Sequence, residues 1–128
     1  MNLHKCKSAD AEQCPIRDVL DRVGDRWSML VLCTLNEHGT LRFTALKSKI
    51  EDISQRMLAQ TLRRLEQDGL LSRKVHATIP PRVEYTLTPL GVSLLGPIRE
   101  LVRWAKLNHR RVRAARRSYV PPVRQAAL

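Results

Sequence analysis

Apolar residues recur at helical spacing through the first half of the chain and then switch to alternation. Pro15 suits the first position of a helix whose apolar face is Ile16, Val19, Leu20 and Val23. Gly24 breaks that pattern, and Asp25 can cap a second helix over residues 26–36 with the stripe Trp27, Leu30, Val31, Thr34 and Leu35. Gly39 ends it. Residues 41–43 read as a short extended piece, and residues 44–50 as a brief helix with Leu46 and Ile50 inward. Glu51 and Asp52 make a turn. Ser54 then offers its hydroxyl as the N-cap of a helix that runs to about Asp68 and stops at Gly69.

Beyond Gly69 the period falls from 3.6 to 2. Leu71, Arg73, Val75 and Ala77 share one strand face, and Val83, Tyr85 and Leu87 share another. Pro80 and Pro81 sit between the strands, where they remove no ladder hydrogen bond. Thr88 and Pro89 open a last helix, which Gly96 and Pro97 are predicted to kink or break. Leu94, Ile98, Leu101 and Ala105 form a stripe beyond what a small core needs, and Pro121-Pro122 ends regular structure. Helix, turn, helix and hairpin in this order predict a winged helix-turn-helix, mainly α with a small β-wing (α+β). The expected organisation is a loose segment at 1–13, a winged domain at 14–107 and a basic extension at 108–128.

The helix that starts after Ser54 has two unlike sides. Leu58, Thr61, Leu62 and Leu65 lie on one; Arg56, Gln60, Arg63 and Gln67 lie on the other, with Gln55 and Ala59 flanking. Arginine presents paired donors that match guanine edges, and glutamine matches adenine; an alanine allows close approach or touches a thymine methyl. A solvated helix face usually mixes Glu with Lys, whereas no acid precedes Glu66 here. Ser54, Gln55, Arg56, Ala59, Gln60 and Arg63 are therefore the candidate DNA-reading residues. The wing adds Arg73 and Lys74, and Arg82 beside the tip prolines is a candidate for a phosphate or minor-groove contact. Glu84 could hold Arg82 or Arg73 across the hairpin.

Charge strengthens the nucleic-acid reading. The 128 residues carry a formal net charge of +11. Arg103, Lys106, Arg110, Arg111, Arg113, Arg116, Arg117 and Arg124 all lie beyond Leu101 with no acid among them, a phosphate-attracting arm or a solvated tail. Aromatic content of 4% argues against single-strand stacking. Three cysteines without a CxxC pair argue against a disulfide framework, and Cys33 reads as core packing. Histidine spacing gives no metal site, and no cofactor is expected. No Gly-rich phosphate loop, HExxH or GxSxG is present, so an enzyme is not expected. No apolar run suits a membrane span, and the first residues do not read as a signal peptide, so a cytoplasmic, nucleoid-associated location is expected. The rival to a sequence-specific regulator is a nonspecific architectural protein driven by the basic tail.

The same residues make the chain resemble the HxlR family of bacterial winged-helix regulators, a branch of the MarR-like group. The resemblance rests on Cys14-Pro15, Gly24-Asp25-Arg26-Trp27, Arg42-Phe43 with Leu46, the run from Ile53 to Leu58, and Leu62-Arg63-Arg64-Leu65-Glu66. It continues through Asp68-Gly69-Leu70-Leu71, Pro80-Pro81-Arg82-Val83-Glu84-Tyr85, Leu87-Thr88 with Leu90-Gly91, and Trp104. It spans about residues 14–105; the family often has Gly-Lys-Trp where Asp25-Arg26-Trp27 stands here, and the Arg-rich stretch after Trp104 exceeds the family core. The resemblance implies a transcriptional repressor or dual regulator acting as a homodimer, its N-terminal and last helices packed across a two-fold axis, on double-stranded DNA with a roughly palindromic operator. Leu94, Ile98, Leu101 and Ala105 are the expected interface. Family members that respond to oxidants or electrophiles often use an N-terminal cysteine, which matches Cys14. Cys6, between Lys5 and Lys7, is a second candidate sensor. A small-molecule effector needs no motif to announce it.

Overall fold

A computed structural model describes residues 19–22 and 24–123. Residues 19–22 are helical. They are followed by α1 (Arg26–His38), β1 (Leu41–Arg42), α2 (Phe43–Lys49), α3 (Gln55–Gln67), β2 (Leu71–His76), β3 (Arg82–Leu87) and α4 (Pro89–Ser118). This is the predicted winged-helix order. Of the first predicted helix, only residues 19–22 and 24 fall among those described.

The helix ends are fixed by local chemistry. Asp25 accepts from the Trp27 amide at 3.1 Å and from Ser28 Oγ at 2.9 Å, which caps α1 and satisfies a hydroxyl that is fully buried. The core face of α1 is Ser28, Val31, Leu32 and Leu35 rather than the predicted stripe. Leu30 points outward at 43% exposure, while Leu32 is buried. The helix also runs two residues past its predicted end, to His38, before Gly39 at φ 77° closes it. Cys33 is half-buried rather than in the core.

The turn into α3 is built by one left-handed residue and two hydrogen bonds. Asp52 takes a left-handed φ of 68°, and Lys47 Nζ donates to the Ile53 carbonyl at 3.3 Å. Ser54 accepts from the Met57 amide at 3.0 Å, as its sequence position predicts. Leu58, Thr61, Leu62 and Leu65 are buried together, the predicted face without exception. At the other end Gly69, at φ 74°, donates to Glu66 O, and Leu70 N donates to Leu65 O, both at 3.0 Å. That double closure satisfies two carbonyls the helix would otherwise leave open.

The sheet has the order β1-β3-β2, antiparallel throughout. Leu71 faces Leu87, Arg73 faces Tyr85 and Val75 faces Val83, so the two predicted strand faces are one. Thr88 joins the hairpin to α4. Its amide donates to Leu70 O at 3.1 Å, its hydroxyl donates to Gly69 O at 2.5 Å, and that hydroxyl accepts from Gly91 N at 3.1 Å. A Cβ at Gly91 would stand 2.0 Å from Leu70 O, so only glycine permits this approach. Arg22 pairs with Asp68 just past α3, and that contact is the main cause raising the guanidinium pKa above its ordinary value.

Pro97 does not break α4: of the predicted kink or break, the break does not occur, and the helix continues from Pro89 to Ser118. Gly96 has no Cβ to clash with the proline ring, and Leu95 and Ile98 on either side are each 2% exposed in the core, which holds the turn in place. The chain divides into two compact units after Ile98. The first holds the winged fold and its core. The second, from Arg99, is helical to Ser118 and contains no buried residue among those described. Residue 107, the expected domain boundary, falls inside α4.

Candidate nucleic-acid interface

Burial of one side of α3 dictates what the other side offers. Gln55, Arg56, Gln60 and Arg63 are exposed, Ala59 is half-buried, and no acid lies in the first turn. Ser54 is spent on the cap, so its hydroxyl holds the helix start while its exposed position stays on the same edge. The free amides of a helix N-terminus and the cations behind them together favour phosphate at this end.

The wing meets α3 through an ion pair that the sequence did not point to. Arg73 Nε lies 3.5 Å from Glu66 Oε2, not against Glu84. The register explains this correction: Arg73 opposes Tyr85 while Glu84 opposes Lys74, so Arg73 and Glu84 lie on opposite faces of the sheet. Ala59, Arg63, Glu66, Arg73 and Tyr85 line a cavity of about 260 Å³ between helix and wing. Desolvation raises the Tyr85 phenol above its ordinary pKa, with Arg73 opposing the shift and Glu66 adding to it.

On the other wing face Glu84 collects two neighbours. Arg82 Nε lies 3.0 Å from Glu84 Oε1 and His76 Nε2 lies 3.4 Å from Glu84 Oε2. Both are close approaches rather than aligned hydrogen bonds. Arg82 thus keeps 37% of its side chain exposed while part of its charge is compensated. Lys74 is exposed, on the same face as Glu84.

The remaining predicted residues fall elsewhere. Leu94 is half-buried, and Leu101 and Ala105 are exposed, but Ile98 is taken into the chain's own core and leaves that stripe. Cys6, Cys14 and Arg124 lie outside the described residues. A second cavity, of about 570 Å³, is lined by Val19, Arg22, Asp68, Leu70, Leu90 and Leu94 among others. Glu66 and Tyr85 were missed by sequence reasoning; their signal was the pairing register, which no single strand displays.

Comparison with known proteins agrees with this architecture. The HxlR-like helix-turn-helix model matches residues 22–113. The HTH-type transcriptional regulator YtfH of Escherichia coli K12 is 49% identical over 106 residues, 83% of each chain. A solved structure assigned as transcriptional regulator ytfH from Salmonella typhimurium superposes with a TM-score of 0.73 at 47% identity, over 84% of this chain and 95% of that one. The redox regulator HypR in its reduced form gives a TM-score of 0.73 at 32% identity, over 79% of this chain and 99% of its own. With a matching model across most of its length and relatives this similar, the chain belongs to the HxlR-like family of helix-turn-helix transcriptional regulators.

Proposed function

We propose that this helix-turn-helix regulator is a homodimer that represses, or both represses and activates, promoters carrying a roughly palindromic operator. The observation that carries the reading is α3: a helix with one face locked in the core and an opposite face of exposed Gln and Arg. Gln55, Arg56, Ala59, Gln60 and Arg63 read base edges in the major groove, with Ser54 at the phosphate-facing start. Lys74 and Arg82 meet the backbone, and Arg73 acts chiefly by holding the wing to α3 through Glu66. Leu101 and Trp104, at 47% and 58% exposure, supply apolar surface on α4 for the second copy.

The redox regulator among the similar structures favours a thiol-responsive form of this function. Cys14 and Cys6 are the candidate thiols. The test titrates a fluorescent duplex from upstream of the chain's own gene, against a scrambled duplex at ~150 mM salt, with and without reductant. Selective binding by a dimer supports the reading, and a reductant effect assigns a thiol. Equal affinity for both duplexes would turn the assignment toward the nonspecific alternative.

A further inference from the structure

The second unit carries a pattern that the winged fold does not use. Arg99, Arg103, Lys106, Arg110, Arg113 and Arg117 are all exposed along α4. Their separations alternate between four and three residues, so they fall within an arc of roughly 80° and form one ridge about 27 Å long. Among the described residues none of the six has an ion-pair partner. Glu100 is the only acid within residues 99–118, and it lies off the ridge.

A ridge of this kind works against the helix that bears it, because like charges three and four residues apart repel. Complementing the helix dipole explains only Arg116 and Arg117, since that effect fades within the last turn. An ordinary solvated face would interleave acids. Five of the six are arginine, whose planar fork pairs with two phosphate oxygens at once. The ridge therefore matches a regular polyanion, and a DNA-binding regulator already brings one to the chain.

We propose that the ridge from Arg99 to Arg117 is a second DNA-contact surface, which binds the phosphate backbone without reading sequence. It rests on the DNA-binding reading of the winged fold but is separate from α3. Each cation that meets a phosphate releases a condensed counterion, so the ridge sets the strength and salt dependence of binding, and α3 sets the choice of site.

The test uses the full chain and a random-sequence duplex, with the upstream duplex beside it, in salt titrations by fluorescence anisotropy. Two variants are compared: Arg110→Gln with Arg113→Gln and Arg117→Gln, and the same three positions changed to lysine. The glutamine variant is expected to bind both duplexes about a hundredfold more weakly at ~150 mM salt, with a log–log salt slope shallower by about 2 to 3 per protomer. The ratio between the two duplexes should stay constant, and the lysine variant should keep the wild-type slope. A glutamine variant with the wild-type slope overturns the proposal; so does a lysine variant that loses as much slope as the glutamine one. If the glutamine variant keeps its slope but no longer binds vesicles of equal phosphatidylglycerol and phosphatidylcholine that the wild type binds, the ridge belongs to a membrane surface instead. Wild-type protein that binds neither duplex would sink the DNA-binding reading itself, a different result from loss of slope.

Discussion

Helix α3 and the second unit of α4 are both rich in arginine, yet they are built on opposite principles. Leu58, Leu62 and Leu65 of α3 are at most 1% exposed, and its outer face mixes Arg with Gln. Residues 99–118 of α4 include no fully buried residue, and their ridge is cationic throughout. Reading a base edge requires donors and acceptors held within hydrogen-bonding tolerance, and a helix pinned to a core supplies them already in place. Attraction to phosphate acts over about 8 Å at physiological ionic strength and tolerates a looser mount. Burial on one side with amides on the other suits a specificity element, and unbroken charge suits an affinity element; these are the roles proposed for the two helices.

The largest expected effect tests the mounting. Leu58→Ala should cost about 2–5 kcal/mol of stability in urea denaturation, while Leu107→Ala, at 72% exposure, should cost no more than about 0.5 kcal/mol. Equal costs would break the contrast between a pinned and an unpinned helix. Next comes readout. Arg63→Ala should weaken operator binding by about 1–3 kcal/mol and relax sequence preference, with random-sequence binding changed much less. Uniform weakening of every sequence would remove α3 from the reading role. The smallest effect concerns the cavity beside α3. In a Tyr119→Phe background Tyr85 is the remaining tyrosine, and its phenol should ionise above its ordinary value of 10.0 in an ultraviolet titration. Because the folded pKa is the higher one, this group favours the fold fully below pH 10.0, and that contribution is lost as pH rises through the folded value. Ionisation at the unfolded value would mean that the cavity is wet.

Much of the winged fold was legible because its signals are local. Ser54, Asp25 and Gly69 sit where their side chains or backbone freedom are needed, and the 3.6-residue stripe of α3 matches its buried face residue for residue. What the sequence hid depends on partners far along the chain. The inward face of α1 turned on Ser28, a polar residue made tolerable in the core by Asp25. Arg73 could not be assigned to Glu66 rather than Glu84 before the β2–β3 register was known. Continuation of α4 past Pro97 depended on Leu95 and Ile98 being held in the core, which local propensity does not weigh. The dimer contacts, operator and sensing thiols belong to encounters with other molecules, which the packing of a single chain does not record.

The meeting of Gly91 with the Leu70 carbonyl has a mechanical consequence. A side chain at that point would act as a cushion, bending its rotamer when the two segments shift. Here backbone presses on backbone, and Thr88 fastens the same spot from the other side. Leu70 is the link between the end of α3 and the start of β2. A displacement at the first turn of α4 would therefore reach α3 and the wing through a backbone joint at Leu70, with no side chain between to absorb it.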